Sequence, residues 1–185
     1  MTTRTTFNES LLRGALGFSV VSLIVFATVA FGERWLYQNL GLAGAYLLWT
    51  ILFIALGGAA FGSLVTGRWR LPRFYLLFAV AFFAYAAGWT VAYFVLRGAK
   101  GEWVGSLLGS LLMALVFAAG FSALKSILKL FVLLFIANSL GYFLGAICYT
   151  SLAEPTGMLL WGVIYGLFLG AGVGGVLHLS QTSAG

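Results

Sequence analysis

Aromatic residues recur along one predicted face of the third apolar segment. Tyr85, Trp89 and Tyr93 follow one another at intervals of four residues, so in a helix they lie on the same side. Such rings can stack on a planar ligand or attract a cation, and their polar tips can form hydrogen bonds. Asn138, in a later apolar segment, adds a carboxamide. These four residues are our candidate ligand-binding residues, and ordinary packing among membrane helices is the alternative interpretation.

The sequence lacks the motifs of metal and nucleophilic catalysis. It contains one cysteine and one histidine, and no His-Glu-x-x-His pair, Walker A loop or Ser-His-Asp set. No acidic residue lies in the middle of an apolar segment, where proton-coupled carriers and intramembrane hydrolases keep ionisable groups. We therefore expect a non-enzymatic protein with no catalytic residues, no metal site and no cofactor.

Composition predicts the environment of the chain. Hydrophobic residues make up 62% of the 185 positions and charged residues 8%, and the mean hydropathy is +1.07. A water-soluble protein cannot have this composition, because it needs a polar exterior. The net charge of +6 does not indicate a nucleic-acid partner, since the basic residues lie between apolar runs and not on one soluble face. The sequence predicts a multi-pass protein of the lipid bilayer, in the cell inner or plasma membrane.

Apolar segments of about 20 residues are long enough to cross about 30 Å of hydrocarbon as helices. We expect one all-α domain, a bundle of six transmembrane helices with spans at about 11–31, 43–66, 73–96, 103–124, 130–151 and 156–179. Glu33 and Arg34 are expected to mark the exit from the first span. The junction from Lys125 to Lys129 has neither glycine nor proline, so a turn and one long kinked helix both remain open there.

The distribution of basic residues predicts the orientation. With six spans, seven of the ten basic residues fall on one side of the membrane and three on the other, which also receives three of the four acids. The seven are Arg4, Arg13, Arg68, Arg70, Arg73, Lys125 and Lys129. Because cytoplasmic loops carry an excess of lysine and arginine, the N-terminus is expected in the cytoplasm. An even number of spans returns the C-terminus to the same side.

Glycines at fourfold spacing are the strongest pattern within the apolar segments. The longest run is Gly162, Gly166, Gly170 and Gly174. Glycine weakens a helix by about 1 kcal/mol relative to alanine, so this run predicts a groove that receives a neighbouring backbone. Residues off the groove, such as Val173, are expected to meet lipid or looser packing. Shorter runs, which chance could also produce, are Gly58, Gly62, Gly101, Gly105, Gly109, Gly141 and Gly145.

Three functions are compatible with these patterns. The first is a subunit or scaffold of a membrane assembly, whose glycine faces pack against copies of itself or against other membrane proteins. The second is a transport or substrate-binding component for a small neutral or cationic solute, with an aromatic pocket on the third helix. The third is a membrane-embedded enzyme that relies on residues at helix ends. A polar cavity reaching Tyr85, Trp89 and Asn138 is the observation that separates the first two.

Overall fold

The computed structural model describes residues 5–65 and 70–183, and these ranges contain helices and turns but no strand. The helices are α1 (Phe7–Gly62), α2 (Arg70–Leu96), α3 (Gly98–Gly120), a short 3-10 helix (Leu124–Ser126), α4 (Ile127–Ser151) and α5 (Thr156–Ser183). In the described ranges, five α-helices are long and apolar enough to cross a membrane. The predicted all-α, membrane-compatible class is confirmed. The expected end of the second span, at Thr66, lies outside the described residues.

Helix α1 begins with a capping box. The Thr6 hydroxyl accepts a hydrogen bond from the Glu9 amide at 3.3 Å, and the Glu9 carboxylate accepts one from the Thr6 amide at 2.8 Å. Both bonds satisfy amide groups that have no partner within the helix. Because this polar cap precedes the apolar segment, the helix starts at Phe7, upstream of the predicted span.

Gly41 divides α1 into two limbs, residues 7–40 and 42–62. Its φ of 66° and ψ of 177° are not helical. The rings of Phe18 and Phe61 stack with centroids 5.2 Å apart. An unbroken helix would hold these two residues more than about 60 Å apart at 1.5 Å per residue. The chain therefore folds back at Gly41, a conformation that glycine adopts at little cost because it has no Cβ.

The backbone does not reverse at Glu33 and Arg34, and the exit of the chain from the membrane at this pair stays a prediction. Both residues lie inside the first limb of α1, which continues as a helix to Leu40. Charged side chains at the end of an apolar stretch can reach water without any break in the backbone. The reversal instead occurs where a left-handed φ is available, at Gly41.

A true turn separates α3 from α4. Ser122 has a left-handed φ of 56°, its amide donates to the Ala119 carbonyl at 3.2 Å, and the Ala123 amide donates to the Ala118 carbonyl at 2.7 Å. These two bonds form a Schellman motif, which usually has glycine at the left-handed position. With serine there, the sequence gives no strong signal for the helix end. The possibility of one long kinked helix is excluded.

The helices form a closed bundle. Helix α1 packs against α5, α5 against α4, α4 against α3, α3 against α2, and α2 returns to α1. A core of phenylalanines runs through the interior, including Phe18, Phe61, Phe78 and Phe117, all fully buried. Large apolar side chains also cover the outside, where Val95 is 73% exposed. An exterior of this kind is stable in lipid, which has no preference for polar surface.

Candidate functional site

A cavity of about 360 Å3 opens between α1, α2, α4 and α5. Within the described part of the chain, six tyrosines and three tryptophans line it. They are Tyr37, Tyr46, Trp49, Tyr85, Trp89, Tyr93, Tyr142, Trp161 and Tyr165. Pockets for small molecules typically measure about 300 to 1,000 Å3 and combine apolar walls with a few polar groups. This concentration of amphipathic aromatic residues makes the cavity the candidate site.

One wall of the cavity comes from α2, α4 and α5. The rings of Trp89 and Tyr93 are stacked, with centroids 5.1 Å apart and 11° between their planes. Tyr142 of α4 lies 5.5 Å from Trp89, and Trp161 of α5 meets Tyr142 edge to face at 5.4 Å. Tyr85 also belongs to this wall. The structure thus brings together all three aromatic residues that the sequence singled out on α2.

A second wall surrounds the bend of α1. Tyr37 lies before Gly41 and Trp49 after it, and their rings meet edge to face at 5.9 Å. Tyr46 meets the same Trp49 ring at 5.6 Å. The reversal at Gly41 therefore places side chains from both limbs at one cavity. Glu33, one turn before Tyr37, also lines the cavity.

Hydrogen-bonded side chains behind the cavity connect four helices. The Tyr85 hydroxyl donates to Asn138 Oδ1 at 2.7 Å, and its oxygen lies 2.8 Å from the Tyr165 hydroxyl. Asn138 Nδ2 donates to Ser106 Oγ at 2.8 Å, and the hydroxyls of Ser106 and Ser139 are 2.7 Å apart. All five side chains are buried. Asn138 therefore does not line the cavity but supports Tyr85 from behind.

The glycines of α3 make room for the aromatic residues of α2. A Cβ added to Gly109 would lie 2.7 Å from the Tyr85 ring, and one added to Gly105 would lie 3.0 Å from the Trp89 ring. Gly101 extends this row against the α2 backbone. Real Cβ atoms rarely approach other atoms so closely, so any larger residue would displace the cavity wall.

Helix α4 repeats this arrangement against α5. A Cβ at Gly141 would lie 3.1 Å from the Tyr165 backbone, and a Cβ at Gly145 would collide with the Trp161 indole. The glycine run of α3 thus faces three cavity aromatic residues, and that of α4 faces two. The fourfold glycines of α3 and α4 therefore pack directly against the aromatic residues of α2 and α5.

Known proteins offer no assignment for this site. Comparisons with protein families, curated proteins and solved structures gave no match. The function must therefore be argued from the chemistry of the cavity.

The long glycine run of α5 lies against the first limb of α1. A Cβ on Gly170 would meet the Gly14 carbonyl oxygen and lie 2.7 Å from Phe18 Cβ. A Cβ on Gly166 would lie 2.7 Å from the Phe18 carbonyl oxygen. Gly162 and Gly174 continue this contact in the two directions along α1. The groove is thus filled by a backbone of the same chain.

The space beside the remaining fourfold pair, Gly58 and Gly62, is also filled by side chains of the same chain. Gly58 faces the Tyr75 ring, and a Cβ on Gly62 would lie 2.7 Å from Leu71 of α2. Contact with a second copy or with other membrane proteins stays a prediction, but these glycine faces do not supply a free surface for it.

The expectation for Val173 is wrong, because it is 1% exposed. Helix α5 contacts α1, α3 and α4, so an off-groove residue such as Val173 can also pack against protein.

Sequence reasoning missed most of the cavity lining. A signal was present on α5, where Trp161 and Tyr165 are one helical turn apart, and on α4, where Tyr142 lies one turn after Asn138. On α1 each limb also has helical spacing, with Glu33 and Tyr37 on the first and Tyr46 and Trp49 on the second, but the sequence does not show that the bend brings the two sets together. The missed residues include the acidic residue and six of the aromatic ones, namely Glu33, Tyr37, Tyr46, Trp49, Tyr142, Trp161 and Tyr165.

Proposed function

We propose that this chain binds a small organic solute in the aromatic cavity, as a transport or substrate-binding component of the inner or plasma membrane. The observation that supports this proposal is the cavity of about 360 Å3 lined by nine tyrosine and tryptophan residues. Two of them, Tyr85 and Tyr165, are fixed by a buried hydrogen-bond network. Pre-organised walls favour ligand binding, because less conformational freedom is lost when the ligand enters.

The alternative of a scaffold subunit has weaker support. It depended on glycine faces that remain free to receive a partner helix. Gly105, Gly109, Gly141, Gly145 and the long run of α5 contact side chains or backbone of the same chain. Close packing of this kind stabilises the bundle and shapes the cavity, so it agrees with the solute-binding proposal.

A bulky residue inside the cavity is expected to abolish solute binding. Ala86 lines the cavity, whereas its neighbour Ala87 is exposed on the outside of α2. The purified full-length chain, Ala86→Phe and Ala87→Phe can be titrated with benzyl alcohol and with benzyltrimethylammonium by calorimetry. We expect at least one probe to bind the unaltered chain and Ala87→Phe, and to bind Ala86→Phe at least about tenfold more weakly, a loss of about 1.4 kcal/mol.

Two results of this titration contradict the proposal. If both variants bind a probe as tightly as the unaltered chain does, that probe lies outside the cavity. If neither probe binds the unaltered chain, the cavity does not accept small organic solutes of this size. Melting temperatures of the two variants provide the control for folding, since a bound ligand raises stability only where a folded site exists.

We further propose six membrane crossings, with both termini in the cytoplasm. The two limbs of α1 supply two crossings, because each is at least as long as the roughly 20 residues that a span requires. The excess of basic residues at one end supports the orientation. Arg4 and Arg68 contribute to that excess from the sequence alone, since they lie outside the described residues.

Thiol labelling tests this topology. In a Cys148→Ala background, cysteines introduced at Lys125 and Thr182 are expected to react only after the membrane is permeabilised. Cysteines at Ala99 and Ala153 are expected to react in intact cells with a membrane-impermeant maleimide. All four substituted positions are exposed, so the reagent can reach them. Labelling of Ala99 and Lys125 from the same side would refute the arrangement.

A further inference from the structure

The cavity lining carries a negative charge. Glu33 is its charged residue, and no lysine, arginine or histidine belongs to the lining within the described part of the chain. Glu33 is half-buried near the Gly41 bend, so its carboxylate is only partly screened by water. Charges interact more strongly as the local dielectric falls. Such a lining attracts cations and repels anions.

The hydroxyl groups of Tyr165 and Thr50, two of those that line the cavity, already donate their hydrogens to protein acceptors. Tyr85 donates its single hydroxyl hydrogen to Asn138 Oδ1, so Tyr165 must donate its own hydrogen to Tyr85. Thr50, which also lines the cavity, donates to the Tyr46 carbonyl at 2.8 Å. The oxygens of Tyr165 and Thr50 can therefore only accept hydrogen bonds from a ligand. An ammonium group with N–H bonds is a donor that matches them.

The tryptophans present ring carbon atoms to the cavity. The indole nitrogens of Trp49, Trp89 and Trp161 are covered by protein atoms and have no hydrogen-bond acceptor within the described residues. The Trp161 nitrogen faces α4, where it would lie 2.7 Å from a Cβ on Gly145. Ring faces carry the negative part of the aromatic quadrupole, and tryptophan attracts cations most strongly.

We infer that the ligand of this cavity is an organic cation, either a protonated amine or a quaternary ammonium, that contacts the aromatic faces and is neutralised by Glu33. This inference rests on the proposed solute-binding function and specifies the class of solute. The negative charge of Glu33 and the tryptophan rings favour either kind of cation, and the hydroxyls that can only accept hydrogen bonds favour the protonated amine among them. The apolar part of the cation fills the remaining volume between the aromatic rings.

The test compares two probes that share a benzyl group, benzyltrimethylammonium and benzyl alcohol, on the full-length chain. Glu33→Gln removes the charge and keeps the size of the side chain. We expect this variant to bind the cation about tenfold more weakly, which corresponds to about 1.4 kcal/mol. Its affinity for the alcohol should stay within about twofold, because a neutral ligand has no net charge for Glu33 to attract.

Arg34→Gln is the matched control, since Arg34 is the next residue on α1 and is exposed. It should leave the affinity for the cation within about twofold, because exposed charges are screened by water and salt. If the unaltered chain binds both probes and Glu33→Gln weakens both equally or neither, the cationic ligand class is refuted while solute binding stands. If neither probe binds the unaltered chain, the proposed function fails together with the inference.

Discussion

Replacing Gly170 with alanine is expected to lower the melting temperature of the detergent-solubilised protein by several degrees. The new Cβ would meet the Gly14 carbonyl oxygen and would lie 2.7 Å from Phe18 Cβ. Backbone cannot move aside as a flexible side chain can, so α1 and α5 must separate. Overpacking of this kind costs about 1 to 3 kcal/mol. In a chain of this size each kcal/mol corresponds to roughly 2 to 4 °C.

Gly32→Ala provides the matched control. A Cβ at Gly32 would have Leu36 Cδ1 as its nearest neighbour, at 3.9 Å, which is ordinary contact. Since alanine favours a helix by about 1 kcal/mol over glycine, this variant should melt at the same temperature or slightly higher. Equal destabilisation by the two substitutions would show that the close approach at Gly170 contributes nothing specific to stability.

Asn138→Ala is expected to destabilise the bundle by about 1 to 3 kcal/mol, the usual cost of leaving buried polar groups without partners. The substitution removes the acceptor of the Tyr85 hydroxyl and the donor to Ser106. Both partners are buried, so water cannot easily replace the lost bonds. Thermal unfolding of the purified variant measures the loss. A weaker affinity for solutes should accompany it, because Tyr85 loses the bond that fixes its position at the cavity.

Asn39 gives a control for the loss of a carboxamide. Its exposed side chain donates to the Trp35 carbonyl at 2.7 Å within the same helix. Asn39→Ala should therefore change stability by no more than about 0.5 kcal/mol, as surface substitutions usually do. A double-mutant cycle of Asn138→Ala with Ser106→Ala isolates their mutual bond, which is expected near 0.6 kcal/mol as for other bonds between membrane helices. If Asn138→Ala and Asn39→Ala have equal effects, the network does not stabilise the fold.

The sequence by itself determined the class of fold and the positions of most helices. Its apolar segments correspond to the helices from α2 to α5 and to the two limbs of α1. These features follow from hydrophobicity summed over about 20 residues, which is a local property of the chain. The spacing of Tyr85, Trp89 and Tyr93 also correctly placed three aromatic residues on one helix face, because helical periodicity is local as well.

These patterns did not predict the backbone conformation of individual residues. The α1 reversal occurs at Gly41 and not at the charged pair that follows the first apolar segment. The end of α3 depends on Ser122, a residue type that seldom has a left-handed φ. In both places, the position of the turn depends on how the following helix packs. Hydropathy carries no information about this packing.

Only the tertiary structure decided where the glycine faces point and where the cavity lies. The run from Gly162 to Gly174 predicts a close backbone, but not that this backbone is α1 of the same chain. The cavity collects Tyr37, Tyr142 and Trp161 from three helices whose order around the bundle is set by long-range packing. The position of Glu33 at the cavity was likewise decided by the tertiary structure. A charge at the end of an apolar segment is common, and only the fold at Gly41 brings this one to an aromatic cavity.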